Sequence, residues 1–234
     1  MRRAAGNAVT RIREAIVARS SPWVRRALGP AAKRLDALVI DHGLLRLAYD
    51  NGHRLSPEAW RAAQPSPERL RRWLGLGIRT VVNLRGRHRS GAYWLEREAC
   101  EALGLTLVDF RLRSHEAPSR DQLHRARAIL EEVEYPILMH CKSGADRTGL
   151  MAALYRVVRE GAPVSEARAE LSPRFGHWSW TATGILDSFL DRYLVDTAPH
   201  PMAFFEWVDR VYDRDALTRA FRARSWRARW RGSA

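Results

Sequence analysis

The chain has 234 residues, 46% of them hydrophobic, which suits one α/β domain with a substantial core plus flanks and is too short for two full-sized domains. Its two cysteines, Cys100 and Cys141, exclude a disulfide framework and a Cys-x-x-Cys zinc pair, and they fit a reducing, cytoplasmic setting. A formal net charge of +14, built almost wholly from arginine since Lys33 and Lys142 are the only lysines, attracts phosphorylated substrates, acidic lipid headgroups or nucleic acid without choosing among them.

The first residues lack the apolar stretch of a secretory signal, and no run of about 18 apolar residues occurs, so a soluble or membrane-peripheral protein is expected. Residues 1–43 read as a basic helical extension, with Val9, Ile12, Ile16 and Val17 at helical spacing and breaks at Ser20-Ser21-Pro22 and Gly29-Pro30. The main domain is expected over residues 44–195. It opens on strand-like pieces around Asn51-Gly52, a hairpin signal between Leu45-Arg-Leu-Ala-Tyr and His53-Arg-Leu.

Ser66-Pro67 supplies a helix start, with Leu70, Trp73 and Leu74 on one face and Gly75 and Gly77 near the end. A strand over 78–84 follows. A helix bearing Leu95, Ala99, Ala102 and Leu103 stops at Gly104, and a strand is expected over 105–112. Ser119 with Gln122 forms a capping-box pattern that opens the next helix. The apolar run 136–140 predicts a central strand covered on both faces, and a helix over 148–160 carries Leu150, Ala153, Leu154, Val157 and Val158 on one side. Residues 163–195 look helical, and the basic C-terminal extension, 196–234, holds one helix from Phe204 to Trp230. Strands alternating with helices predict an α/β sandwich with a mainly parallel sheet.

The chemistry concentrates in the run His140-Cys-Lys-Ser-Gly-Ala-Asp-Arg-Thr-Gly149. In so arginine-rich a chain, a cysteine followed six positions later by arginine is weak on its own. His140, Gly144, Thr148 and Gly149 sharpen it, and so does its place between a strand and a helix, where α/β sheets bind ligands. Backbone N–H groups of Lys142, Ser143, Gly144, Ala145, Asp146 and Arg147 can face one anion there, the helix dipole favours its charge, and Arg147 offers a planar fork for two phosphate oxygens. The same field should lower the thiol of Cys141 below its free value of about 8.5, leaving a thiolate able to attack phosphorus and form a phosphocysteine. Thr148 is placed to hydrogen-bond the departing sulfur, and His140 to orient the turn.

These residues resemble the cysteine-dependent protein tyrosine phosphatase superfamily, in its dual-specificity, atypical or bacterial branch. Trp60-Arg-Ala-Ala-Gln-Pro65 and Thr80-Val-Val-Asn-Leu-Arg85 look like two strand segments of such members. The resemblance implies a metal-free, cofactor-free phosphomonoester hydrolase acting on phosphorylated protein or lipid, on a sheet of about four or five strands flanked by helices. Where many relatives carry a general-acid aspartate, this chain has Ser114, with Pro118 following. Serine protonates a leaving group poorly at neutral pH. Asp146, in an arrangement that resembles Cys-x4-Asp-Arg relatives, is the first substitute, followed by Glu116 and Asp109.

Lys142 resembles phosphoinositide-directed relatives, but these usually carry a base where Ala145 stands, so a lipid phosphatase is the alternative reading. Arg85, Arg87 and Arg89 suit either a second phosphate or a solvated basic loop. The arginines of both termini suit either a solvated face or a peripheral contact with an acidic membrane. Direct nucleic-acid binding rests on charge and the tryptophan-arginine tail alone and ranks low, as does rhodanese-type sulfur transfer, whose loop usually closes without Arg-Thr-Gly. A non-catalytic phosphate-reading module is the remaining reading.

Overall fold

The computed structural model describes residues 50–231, with side chains described through residue 224. Five strands, β1 (His53–Ser56), β2 (Ala59–Ala63), β3 (Thr80–Asn83), β4 (Thr106–Asp109) and β5 (Ile137–Cys141), lie in the order β1-β2-β5-β3-β4. β1 runs antiparallel to β2 at one edge, and the other pairings are parallel. Parallel neighbours need crossovers, and helices α1 (Pro67–Gly75), α2 (Gly91–Leu103) and α3 (Arg120–Glu132) supply them. α4 (Asp146–Arg159) leaves the end of β5, and α5 (Val164–Ala167), α6 (Ile185–Thr197), α7 (Phe204–Arg210) and α8 (Arg214–Arg231) complete the chain. The expected α/β architecture with a mainly parallel sheet is the one observed.

The central strand β5 is buried along its whole length, as its apolar run predicted. Alternation sends Leu138 into the layer of α1 and α2, with Leu70, Trp73, Val81 and Cys100. Ile137, Met139 and Cys141 face the larger core on the other side, with Leu123, Leu150, Leu186 and Trp207. The expected helix signals are also present. Ser66 accepts from the Arg69 N–H, Ser119 and Gln122 form the reciprocal capping box, and α2 ends on left-handed Gly104.

The region 163–195 is not one helix. The extended Ser172 before Pro173, and then left-handed Gly176, break it into α5, short 3-10 turns and α6. The tail divides likewise. Asp213 accepts from the N–H groups of Asp215 and Ala216 at 2.9 and 2.8 Å, capping α8 and separating it from α7. Just before this cap, Tyr212 is buried and donates to the Pro118 carbonyl at 2.8 Å. Phe204, Trp207, Val208 and Tyr212 pack with Phe189 in the larger core, so this part of the tail shares the core of the sheet. β1 finds its antiparallel partner in β2, across a turn at Pro57 and Glu58. The hairpin half at Leu45 to Tyr49 and the helical extension 1–43 lie outside the described residues.

Candidate active site

β5 delivers Cys141 to the carboxyl end of the sheet's central strand, and a four-residue turn returns the chain into α4, whose first residues are Asp146, Arg147 and Thr148. The turn is pressed against β2. Gly144 has φ +76°, and a Cβ there would lie 2.7 Å from the Ala62 carbonyl carbon, so only glycine fits. Gly149 is likewise packed on the next segment, where a Cβ would stand 2.8 Å from the Glu170 carbonyl oxygen.

Three successive carbonyls of the turn are held by side chains from elsewhere in the fold. Asn51 Nδ2 donates to Ser143 O at 2.9 Å and to Phe175 O at 3.0 Å. Arg61 Nη2 donates to Gly144 O at 2.9 Å and to Ala145 O at 3.2 Å. Its other terminal nitrogen, Nη1, donates to the Glu170 carboxylate at 2.8 Å, and its guanidinium stacks 3.8 Å from the centre of the Phe175 ring. A trans peptide points its N–H opposite its C=O. Pinning these carbonyls to the scaffold therefore turns the N–H groups of Gly144, Ala145 and Asp146 the other way, and the Gly144 N–H reaches the sulfur of Cys141.

Burial by itself would raise the Cys141 thiol. The Arg147 charge outweighs it, together with the Thr148 side chain and the backbone N–H groups of Thr148 and Gly144, so the thiol is held below its ordinary value. Thr148 Oγ1 is fully buried close to the sulfur but off the alignment of a full hydrogen bond. Cys100 shows the opposite environment. Burial, with Glu96 and Asp109 nearby, pushes that thiol up to about 12. Arg147 Nε is buried and meets no hydrogen-bond partner within the described residues. The site therefore combines a lowered thiol, outward backbone donors and an unpaired guanidinium N–H, a set that accommodates an oxyanion beside the sulfur.

Beneath the strand end, His140 is fully buried. Its Nδ1 lies 3.3 Å from Cys141 O, and its Nε2 lies 2.5 Å from Glu96 Oε1, a close contact that is not aligned as a hydrogen bond. Gln64 donates to Glu96 at 2.7 Å, and Arg85 in turn donates to Gln64. Arg85 thus belongs to the support beneath the turn. Arg87 and Arg89 instead line a separate cavity of about 620 Å³ with Tyr93, Trp94, Arg97 and Asp109. Lys142 is half-buried and Ser143 exposed at the rim of the turn.

The three acid candidates sit in different surroundings. Asp146 Oδ1 lies 2.8 Å from His177 Nδ1, and His177 Nε2 lies 2.6 Å from Asp187 Oδ2. Burial works to raise the Asp146 carboxyl, but His177, the Thr183 hydroxyl and Arg147 prevail and hold it below its ordinary value. Glu116 is bonded by Arg113 at 2.7 Å and Arg214 at 3.0 Å, which keep its carboxyl low. Asp109 accepts from Asn83 at 2.8 Å and from Tyr93 at 2.7 Å. It stands two strands away from β5, a separation of roughly 10 Å at the usual strand spacing. Ser114 lies in the turn after β4.

Asn51, Arg61, Glu170, His177 and Asp187 escape the sequence reading. Arg61 alone leaves a local trace, a charge in the middle of the apolar strand Ala59–Ala63. Among the described residues no cluster of His, Cys, Asp and Glu could hold a metal ion, and no helix is long and apolar enough to cross a membrane.

A mainly parallel sheet of this order, with a cysteine at the end of its central strand and an arginine in the following helix turn, defines a phosphotyrosine-phosphatase-type fold. The family model described as "DSP-PTPase phosphatase fused to NAD+ Kinase" matches residues 50–179, over half of the chain, and the chain belongs to that family. It is 34% identical over 122 residues to "Dual specificity protein phosphatase TpbA" of Pseudomonas aeruginosa strain PAO1, covering 52% of this chain and 53% of that protein. The same protein of strain UCBPP-PA14 matches with the same identity and coverage. The chain thus spans about half the length of the curated relatives it matches. The crystal structure of P. aeruginosa TpbA superposes with a TM-score of 0.50 at 22% identity, covering 73% of this chain and 90% of that one, a likeness of fold.

Proposed function

We propose that the chain is a cysteine-dependent phosphomonoester hydrolase of the protein tyrosine and dual-specificity type. The observation that carries this reading is the pairing of the lowered Cys141 thiol with the unpartnered Nε of Arg147, a nucleophile and an oxyanion donor set on one turn. The Sγ thiolate attacks phosphorus as the ester P–O bond breaks, and the leaving oxygen takes a proton from Asp146. Water then attacks the phosphocysteine, giving its proton to Asp146 as the P–S bond breaks and the thiolate returns. Arg147 and the N–H groups of residues 142–147 hold the phosphoryl oxygens throughout, and Thr148 stabilises the departing sulfur. His140 positions the strand end.

Asp146 is the preferred acid because it alone of the three candidates opens the same helix as Arg147. Glu116 is committed to two arginines, and Asp109 stands across the sheet. Residues 44–195 carry the site in this reading, with the tail segment from Phe204 to Tyr212 packed into the same core and 1–43 as a basic extension. The substrate is a phosphorylated protein, with a phosphorylated lipid as the alternative. The reaction needs no metal or cofactor, and a cytoplasmic place suits a thiolate chemistry.

The deciding experiment compares wild type with Cys141→Ser on 4-nitrophenyl phosphate, phosphopeptides and phosphoinositides. Turnover by wild type, abolished in a folded Cys141→Ser, is the expected result. Full activity of that variant sinks the mechanism, and preference for the phosphoinositides moves the assignment to the lipid alternative.

A further inference from the structure

Asp146, His177 and Asp187 form a relay through a buried imidazole that the thiolate chemistry alone does not require. His177 is 1% exposed, and each of its ring nitrogens meets a carboxylate, Asp146 Oδ1 at 2.8 Å and Asp187 Oδ2 at 2.6 Å. Asp146 opens α4 and Asp187 lies in the first turn of α6, so the imidazole bridges two helices that are otherwise joined through the segment 160–184. At the far end, Asp187 lines an open groove of about 1230 Å³ with Trp180, Ser179 and Arg214. One end of the relay thus meets the residue beside Arg147, and the other meets solvent.

We propose that His177 is the proton store of this site, a positioning residue that keeps Asp146 ionised and aligned at rest and supplies its proton when the leaving group departs. The inference rests on the phosphatase reading and assigns the source of the proton within it. With two carboxylates against it, the ring is held as imidazolium, raised to about 9 although burial opposes the charge. The groups that face it are Asp146, with Arg147 and the Thr183 hydroxyl beyond, and Asp187. A phosphate dianion arriving beside Asp146 raises the proton affinity of that carboxylate.

As the ester P–O bond breaks, the leaving oxygen takes a proton through the Asp146 carboxyl, the Nδ1 proton of His177 moves to Asp146 Oδ1, and the ring becomes neutral with its Nε2–H still donated to Asp187. In the second step the attacking water gives its proton to Asp146, which returns it to Nδ1. No proton is gained or lost over the cycle by the three residues.

The test uses the full chain and two aryl esters. Phenyl phosphate has a leaving group that must be protonated at neutral pH, whereas 4-nitrophenyl phosphate leaves as a stable phenolate. His177→Asn, which retains a donor near Nδ1 but carries no charge, should lose about a hundredfold in kcat/KM on phenyl phosphate, the scale of general-acid catalysis, and little on the nitrophenyl ester. Equal losses on both esters, or no loss on either, overturn the role. If His177→Asn does not fold, Asp187→Asn is read the same way, with a smaller but equally selective loss expected. A nitrogen NMR titration of the wild-type ring gives a readout apart from turnover, and a neutral His177 at pH 7 also overturns the proposal. A wild type that hydrolyses neither ester overturns the phosphatase reading itself, whereas selective failure of the variants' prediction in an active wild type overturns only the proton store.

Discussion

Arg61, fully buried in β2, donates from one nitrogen to the carbonyl of Gly144 at 2.9 Å, so a strand side chain sets the direction of the turn that follows Cys141. The same guanidinium is tied to Glu170 at 2.8 Å. A turn whose carbonyls are fixed in this way needs no reorganisation to present its N–H groups to an anion, which is the arrangement that makes such donors effective.

Removing one member of this pair should therefore cost more than removing both. Arg61→Met leaves the nearly buried Glu170 carboxylate with the longer contact to Arg156 at 3.5 Å and takes the Arg61 donors from the carbonyls of Gly144, Ala145 and Glu170, so a loss on the order of 3 kcal/mol is expected. The double variant Arg61→Met with Glu170→Met should recover part of it. Urea denaturation of the two variants gives the comparison, and equal midpoints for wild type and Arg61→Met would show that the clamp contributes nothing.

Gly144→Ala forces a Cβ to 2.7 Å from backbone atoms of Ala62 at a φ of +76°. Strain of this type costs about 1–3 kcal/mol, and the turn must shift to relieve it. The shift withdraws the Gly144 N–H from the sulfur, so the Cys141 thiol should rise. Alkylation rates with iodoacetamide across pH will report this as a move of the rate midpoint to higher pH.

The two thiols should respond differently to the same reagent. Cys141, held below its ordinary value, should be alkylated at neutral pH and be protected by inorganic phosphate, while Cys100, pushed up to about 12 in the α1 and α2 layer, should stay unmodified in the folded chain. Peptide mass mapping distinguishes them. Modification of Cys100 first would contradict the electrostatic picture.

Stability should fall on the alkaline side of neutrality. The pKa of His177 is raised from 6.5 to about 9 in the folded chain, so the stabilisation from its charge is complete below about 6.5 and is lost as pH rises through about 9. The loss should be on the order of 3 kcal/mol. The Asp146 carboxyl has the opposite sign, since it is held low and its contribution vanishes only in acid. Thermal melts from pH 6 to 10, with His177→Asn as the reference, should show a slope in wild type that the variant lacks.

Much of the frame was legible because its causes are local. The run 136–140 marked a strand buried on both faces, found at Ile137–Cys141, and Ser119 with Gln122 marked a capping box that forms as expected. Gly104 marked a helix end where a left-handed residue is needed. The breaks at Pro173 and Asp213 were less visible, since apolar spacing continues across them while the backbone is turned by a proline and by a capping carboxylate. The roles of Arg85, Asp109 and Glu116 were also undecided locally, because the bonds that occupy each come in part from other elements.

The sequence by itself determined that Cys141 stands at a strand end, that a turn from strand to helix follows it, and that glycine and arginine stand in that turn. These are properties of neighbours along the chain, fixed by backbone freedom and by alternation. Only the tertiary structure decided what holds that turn and what charges its aspartate. Asn51 meets Ser143 across 92 residues, Arg61 meets Gly144 across 83, and His177 meets Asp146 across 31. Contacts at such separations exist only after the sheet and its helices have packed, because the packing that removes these groups from water is also what brings their partners to them.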